Sequence, residues 1–247
     1  MKEEIVIEQP KIIEQPKIVV EETGVSKYRQ LDVSSWKPKT ELGRLVKDGK
    51  IKNIDEILQS GKKILEVEII DVLLPGLQSD LISVGQSKGK FGGGKRSIWK
   101  QTQKKTREGN KPHFATMALV GNKEGYVGMG YGKAKETVPA REKAIRQAKL
   151  NLIKIKQGCG SWEGDPSGKN SIPFAVQGKC GSVHIKLMPA PKGASLIVEK
   201  ECAKILAIAG IKDVYSKTIG HTATKINLVK ACFNALKQLS QTKNAHD

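Results

Sequence analysis

The sequence predicts an α+β fold built from two small units. Short runs rich in β-forming residues are followed, in both halves of the chain, by longer amphipathic stretches that are typical of helices. A glycine-rich stretch at residues 158–170 (GCGSWEGDPSGKN) lies between the two halves and is typical of a linker. The chain has 247 residues, which is enough for two units with apolar cores.

An acidic tail interrupted by prolines is expected over residues 1–30. The hexapeptide IEQPKI occurs twice in direct succession between Ile7 and Ile18, and Pro10 and Pro16 interrupt any helix there. Such a segment offers too little apolar area to offset the entropy lost on ordering. We therefore expect the tail to be disordered when free.

An extension with short helices is expected over residues 31–76. Thr40 can cap a first helix that stops at Gly49, and isoleucines at helical spacing predict a second helix that ends before Gly61. The run VEIIDVLL at residues 67–74 is rich in β-forming residues and predicts a strand.

Residues 77–155 are expected to form the first α+β unit, with three antiparallel strands and one helix across a face of their sheet. The predicted elements are a strand at 81–84, a basic loop at 86–113, strands at 113–120 and 126–131 joined by a hairpin turn, and a helix capped by Thr137 with Pro139 in its first turn.

Residues 172–240 are expected to form the second α+β unit, after a linker at 156–171 and before a short tail at 241–247. The predicted elements are strands at 172–176 and 183–188 joined through Gly178 and Gly181, a turn at 189–194, a helix at 199–209, a strand or extended segment at 211–218 and a helix at 224–239.

The charge balance indicates a polyanionic partner. Lys and Arg number 43 against 25 Asp and Glu, which gives a net charge of +18 and an isoelectric point near 9.7. A strongly basic chain is typical of a nucleic-acid-binding protein. No apolar run approaches the roughly 20 residues that span a bilayer, so we do not expect a membrane partner. The first residues, MKEEIVIEQP, do not resemble a secretory signal, and we expect a cytoplasmic protein.

The highest density of positive charge lies in the predicted loop QSKGKFGGGKRSIWKQTQKKTREGNKPH, residues 86–113. Glu108 is its one acidic residue, and no apolar periodicity runs through it. Such a segment can lie along a polyanion and release condensed counterions, whereas a solvated loop without a ligand is the alternative. Its nine cations are Lys88, Lys90, Lys95, Arg96, Lys100, Lys104, Lys105, Arg107 and Lys111.

The run Gly128-Met-Gly-Tyr-Gly-Lys133 resembles a phosphate-binding loop but fails its requirements. Val127 stands where a Walker motif needs its first glycine, and Ala134 stands where Ser or Thr should follow the lysine. A hairpin also lacks the parallel βαβ context of a dinucleotide site. We expect Gly128, Gly130 and Gly132 to serve close packing of a helix or an RNA backbone against the strand.

Neither a catalytic centre nor a metal site is predicted. The histidines are scattered, and no HExxH, GxSxG or paired-carboxylate pattern occurs, so we expect neither an enzyme nor a small-molecule substrate or cofactor. The four cysteines lack the close spacing of zinc ligands. Cys202 and Cys232 lie on apolar faces of predicted helices, where we expect them to be core residues of a protein in a reducing compartment.

Long motifs in both units resemble those of the ribosomal protein S5 family. In the first unit the motif is VGNKEGYVGMGYGKAKETVPAREKAIRQAKLNLI, residues 120–153. In the second, GKCGSVHIKLMPAPKGASLIVEK at 178–200 and GIKDVYSKTIGHTATKINLVKA at 210–231 are similar to the C-terminal domain of the family. WKPKTELGRLVKDGKI at 36–51 and GCGSWE at 158–163 resemble its archaeal and eukaryotic branch.

The resemblance implies a double-stranded-RNA-binding-like fold for the first unit and a left-handed βαβ-containing fold for the second. It implies a structural protein of the small ribosomal subunit, bound to rRNA near the mRNA entry path and supporting translational accuracy. Proteins three, four and eight of the same subunit are the implied neighbours. Lys133, Lys135, Arg141 and Lys192, which lie in the similar motifs, join the nine loop cations as candidate RNA-binding residues.

Three departures limit the resemblance. The acidic repeat tail has no counterpart in the family. Gly164-Asp165-Pro166 stands where the branch often has further cysteines, which argues against zinc. Ser195 stands where the turn after PAPKG usually has a second glycine, so we expect that turn to be reshaped. Two alternatives remain, a free-standing RNA-binding or RNA chaperone protein and a nucleotide-using enzyme on the same fold.

Overall fold

Two sheets and six helices make up the part of the chain that this computed structural model describes, namely residues 26–27, 36–87, 89, 94–160 and 168–240. The strands are β1 (Ser26–Lys27), β2 (Gln78–Ile82), β3 (Lys100–Thr106), β4 (Gly109–Gly121), β5 (Tyr126–Ala134), β6 (Leu152–Lys154), β7 (Val176–Cys180), β8 (Val183–Pro189), β9 (Leu196–Ile197) and β10 (Val214–Ile219). The helices are α1 (Glu41–Lys47), α2 (Ile54–Gln59), α3 (Glu68–Leu73), α4 (Thr137–Leu150), α5 (Lys200–Ile208) and α6 (Lys225–Ser240). The predicted α+β class is confirmed.

The first sheet has six strands rather than the three expected. Its order is β1-β2-β4-β5-β6, and β3 pairs with residues 109–115 of β4, beyond the residues that pair with β2. Side chains alternate between the two faces of a strand. Ala118 and Val120 therefore pack against α4 on one face, whereas Met117 and Leu119 join the larger core on the other.

Two predictions for the part of the chain before β2 differ from the structure. Ser26 and Lys27, which fall in the segment expected to be disordered, form a short edge strand opposite Ser79 and Gln78. The remainder of residues 1–30 lies outside the described residues. The predicted strand at 67–74 is wrong, because these residues form α3 and the turn after it.

Packing explains the helix at residues 68–73. Ile69 and Ile70 are both fully buried, although they are adjacent in sequence. Adjacent side chains on a strand point to opposite faces, whereas a helix can bury both against one core. Tertiary contact with α1 thus overrides the β propensity of the isoleucines. The Thr40 cap is confirmed, since its hydroxyl accepts from the Gly43 amide at 3.1 Å.

Two hydrogen-bond clusters hold this extension on the first unit. Tyr126 donates its hydroxyl to Asp55 Oδ1 at 2.6 Å, and Lys154 pairs with the other carboxylate oxygen. Burial alone would raise the pKa of the Asp55 carboxyl, but these two partners outweigh it and hold the pKa below its ordinary range. Lys149 forms a further ion pair with Asp71 at 2.5 Å.

Helix α4 begins one residue earlier than a Thr137 cap implies. Glu136 occupies the cap position without a side-chain hydrogen bond, and Thr137 is the first helical residue. Pro139 still lies in the first turn, where the missing amide hydrogen costs no helical hydrogen bond. The prediction of the cap was therefore wrong, whereas that of the helix and its buried face is confirmed.

The second sheet has four strands in the order β7-β8-β10-β9. Its first strand lies at residues 176–180, not at 172–176, so Gly178 is inside the strand rather than in the turn. A Cβ on Gly178 would stand 2.0 Å from the carbonyl oxygen of Ala231, which shows how closely α6 packs here. Strands β9 and β10 are parallel and enclose α5, which makes a βαβ unit.

One apolar core runs between the two sheets. It includes Met117 and Leu119 of the first sheet, Ile185 and Leu187 of the second, and Ile205 of α5. Helix α5 also bonds to residues that flank strands of the first sheet, because its Glu201 accepts from the Ser83 amide at 3.0 Å and the amide of Lys123 donates to Ile208 O at 2.9 Å. The second unit thus packs directly on the face of the first sheet that lies opposite α4.

Candidate nucleic-acid interface

A β-hairpin carries much of the positive charge that the sequence places in a loop. Residues 100–106 pair with residues 109–115 around a turn at Arg107 and Glu108, so the prediction of an unstructured loop is wrong for this part. Gly109 has φ of 113°, and its carbonyl accepts from the Thr106 hydroxyl at 2.7 Å. The hairpin needs no apolar periodicity because its second strand continues into the buried part of β4.

The strand register gathers four lysines on one face. Lys100 lies opposite Ala115, which in turn lies opposite Lys133, and Lys104 lies opposite Lys111. Directly paired residues point to the same face of a sheet, and these positions differ by even numbers along each strand. Lys100, Lys104, Lys111 and Lys133 therefore share a surface, which we call the basic face. Lys105 points to the opposite side with Asn110.

The chain before the hairpin brings two further cations toward its base. Ser87 and Arg96 form an antiparallel bridge, and Gly85 donates its amide to Ser97 O at 2.7 Å. Lys95 and Arg96 are exposed in this turnback. Lys88 and Lys90 lie outside the described residues.

Neighbouring carboxylates do not neutralise most of these cations. Lys111 pairs with Glu108 at 2.9 Å, and both side chains are exposed. Among the described residues, no carboxylate lies within 4.0 Å of the charged nitrogens of Lys95, Arg96, Lys100, Lys104, Lys105, Arg107, Lys133 or Lys135. Elsewhere acidic residues pair with lysines of the body, as in Lys225–Glu199 at 2.7 Å. The basic hairpin is thus available to an anionic ligand.

The glycine run of β5 positions α4 beside this surface. Cβ atoms on Gly128, Gly130 and Gly132 would stand 2.1 to 2.2 Å from backbone carbonyl oxygens of α4. The face that the glycines leave free is therefore filled by helix backbone. Lys135 follows Ala134, which pairs with Phe114 at the base of the hairpin, and the half-buried Arg141 lies in the first half of α4.

Lys192 lies far from the hairpin cations. It is exposed on the turn after β8, and the Ser195 amide donates to Asp213 Oδ1 at 2.8 Å to hold that turn. Ser195 has φ of 62°, in the left-handed region that favours glycine. Residues 223–226 adjoin the opposite end of β8. Together with residues 84–86, 96–97 and 99–101 they line a cleft of about 480 Å³.

Sequence reasoning missed two ring side chains on the basic face. Tyr131 is 42 % exposed and lies opposite Met117, two residues from Lys133, and His113 lies opposite Thr102. Strand alternation from Lys133 would have placed Tyr131 on this face. Alternation along the predicted strand at 113–120 puts His113 on the same face as Met117, but its pairing with Thr102 could not be predicted without β3.

The buried cysteines and the distribution of potential metal ligands concern the predicted absence of a metal site. Cys202 and Cys232 are buried where α5 meets α6, as predicted, and their mutual hydrogen bond and burial raise the pKa of the Cys202 thiol. Among the described residues, no cluster of three or more His, Cys, Asp or Glu side chains could hold a metal ion. Likewise, no helix in the described ranges is long and apolar enough to cross a membrane.

Comparison with known proteins matches both units to one family. Residues 98–156 match the N-terminal domain of ribosomal protein S5, and residues 178–246 match its C-terminal domain. The chain is similar to the small ribosomal subunit protein uS5 of Nanoarchaeum equitans, with 49% identity over 213 residues that cover 86% of this chain and 91% of the relative.

Two further archaeal relatives agree. Identity to uS5 of Pyrobaculum aerophilum is 45% over 84% of this chain and 88% of the relative. Identity to uS5 of Methanocaldococcus jannaschii is 44% over 87% of this chain and 92% of the relative. With both domains matched in order and similarity along most of its length, the chain belongs to the ribosomal protein S5 family.

Proposed function

We propose that this chain is a structural constituent of the small ribosomal subunit, bound to its rRNA through the basic hairpin, and not an enzyme. The observation that carries the proposal is the row of lysines on the basic face, most of them without a carboxylate partner among the described residues. The relatives, which are named small ribosomal subunit proteins, support the same role.

The hairpin suits recognition of folded RNA by shape. The major groove of double-stranded RNA is too narrow for side chains to read, so proteins contact phosphates and 2′-hydroxyls instead. Strand β3 consists entirely of Lys, Gln and Thr, which can donate to such oxygens along an extended segment. With aromatic residues at 4% of the chain, stacking on single-stranded bases is not its main mode of contact.

Membership of the ribosomal protein S5 family supports a more detailed proposal about location, neighbours and role. We propose that the protein functions on cytoplasmic ribosomes near the mRNA entry path, contacts proteins three, four and eight of the small subunit, and supports accurate decoding. Lys133, Lys135 and Arg141 would extend the rRNA contact from the hairpin to the start of α4. Lys192 would serve a separate contact, because its turn lies at the other end of the second sheet.

Sedimentation tests the proposal. Tagged chain from cell lysate should migrate with small subunits in a sucrose gradient and remain there after a wash in moderate salt. A protein that stays in the light fractions would instead be a free-standing RNA-binding protein, and the proposal would be wrong. Two matched sets of five residues can each be changed to Ser, and only the first set should release the chain. The first set consists of cations in or just before the hairpin (Lys95, Arg96, Lys104, Lys105 and Arg107), and the second of exposed lysines elsewhere (Lys50, Lys52, Lys62, Lys63 and Lys230).

A further inference from the structure

One face of the second sheet, the face opposite α6, is uncovered in the part of the chain that the structure describes. Helix α6 packs on the opposite face, against β7 and β8, and no described helix lies over the outer one. Ile219 on this face is 60% exposed and Ile197 is 56% exposed. A groove of about 640 Å³ runs over part of it, lined by residues of β7, β8 and β10 and, at its edge, by Gln238 of α6. We call this surface the outer face.

Strand register arranges the outer face in three rows, two that carry its lysines and one that is apolar. Lys179, His184 and Ile219 form one row across β7, β8 and β10, and Gln177, Lys186 and Lys217 form the next. The third row consists of Met188, Tyr215 and Ile197. The four strands contain no Asp or Glu.

The chemistry of the outer face differs from that of the basic hairpin. Nucleic-acid interfaces are polar and strongly positive, and an exposed isoleucine gains little from a phosphate backbone. Apolar side chains beside aromatic and charged ones are typical of the core of a protein–protein interface. The lysines, which lack acidic neighbours on this face, require negative charge on the partner.

We propose that the outer face binds an acidic protein surface of a neighbouring small-subunit protein, whose apolar side chains pack on Tyr215 and Ile197 while its carboxylates pair with Lys186 and Lys217. This inference rests on the proposed function for the presence of that neighbour. Three strand spacings make the face about 14 Å wide, which suits the apolar core of an interface with a polar rim beyond it.

The test uses purified small subunits that contain the full-length chain, and the free chain beside them. Acetic anhydride should modify Lys186 and Lys217 about tenfold less in the subunit than in the free protein, because a packed interface excludes water and reagent. Zero-length carbodiimide coupling, which joins amines to carboxylates, should link at least one of Lys179, Lys186 and Lys217 to an Asp or Glu of another protein.

Results that contradict this inference can be distinguished from results that contradict the proposed function. If the chain sits in the subunits but these lysines react as fast as in the free protein, the face is uncovered and the inference is wrong. Ultraviolet cross-links from Tyr215 to rRNA without carboxylate cross-links would also overturn it, in favour of RNA. If the chain never enters subunits, both proposals fail.

A pair of variants adds an independent readout. Lys186→Glu with Lys217→Glu should leave the chain in the subunit, because the hairpin is unchanged, but should weaken retention of one neighbouring protein in a salt wash. Lys230→Glu with Lys212→Glu removes the same charge from exposed positions outside the outer face and should have no such effect. Equal retention in both variants would contradict the proposal.

Discussion

The backbone of Gly130 lies so close to the carbonyl oxygen of Ala144 that a Cβ on this glycine would stand 2.1 Å away. The carbonyl of Ala148 approaches Gly128 in the same way, at 2.2 Å. Both contacts join strand backbone to helix backbone, so no side chain can rotate to relieve a clash. The glycines let α4 lie directly on the sheet and thereby position the charged residues that follow them.

We expect Gly130→Ala to lower the free energy of unfolding by about 3 kcal/mol, at the upper end of the usual cost of overpacking, because the added methyl group meets backbone. Urea denaturation monitored by circular dichroism measures the change. Lys133→Ala, an exposed substitution in the same strand, is the matched control and should change stability little. Equal stability of both variants would show that α4 can shift without cost.

We expect the glycine run to bind neither ATP nor GTP at micromolar concentrations. The space that its missing side chains leave is filled by backbone of α4, so a phosphate cannot enter there. Titration calorimetry with each nucleotide checks this, and stoichiometric heat of binding would contradict it.

Glu66 organises the start of the extension. Its Oε2 accepts from the Trp36 indole at 3.0 Å, and its Oε1 accepts from the Lys39 and Thr40 amides at 2.9 and 2.5 Å. We expect Glu66→Gln to lower the melting temperature at neutral pH, because an amide is a weaker acceptor than a carboxylate and its NH₂ group cannot accept. Glu56→Gln, at an exposed position in α2, is the control.

The same carboxylate predicts a pH dependence. Burial alone would raise the pKa of Glu66, but the hydrogen bonds from Thr40, Lys39 and Trp36 outweigh it and lower the pKa. A lowered folded-state pKa contributes stability above the ordinary value of 4.5, which is lost as pH falls through the folded-state value. The stability difference between wild type and Glu66→Gln should therefore shrink below pH 4.5. A difference independent of pH would contradict this.

The basic hairpin predicts the salt dependence of RNA affinity. Changing Lys95, Arg96, Lys104, Lys105 and Arg107 to Ser should flatten the slope of log affinity against log salt by about 3 to 4 units, since each neutralised phosphate contributes roughly 0.7 to 0.9. Filter binding to a small-subunit rRNA fragment across salt concentrations measures the slope. The five-lysine control set named above should leave it nearly unchanged, whereas equal slopes for hairpin variant and wild type would mean that the hairpin only solubilises the chain.

We expect removal of residues 1–24 to leave the thermal midpoint within about 1 °C of the full-length value, since their composition contributes no core. Removal of residues 1–30 also deletes β1, whose two residues pair with the edge of β2, and should cost slightly more. Differential scanning calorimetry of both truncations compares them. A loss of several degrees on the shorter truncation would show that the tail packs on the body.

Features that depend on neighbouring residues could be predicted from the amino-acid sequence. The α+β class, the Thr40 cap, the buried face of α4 and the burial of Cys202 and Cys232 follow from local periodicity and capping chemistry. The net charge also follows from composition alone, and with it the expectation of a polyanionic partner.

Contacts between residues that are distant in the chain could be seen only in the folded structure. The hairpin at 100–115 carries no apolar signal, and its pairing is set by the buried half of β4. The helix at 68–73, the register of β7 and the shared core between the sheets likewise depend on partners far away in sequence. Burial against such partners outweighs local propensity, which spans only about 1 kcal/mol per residue.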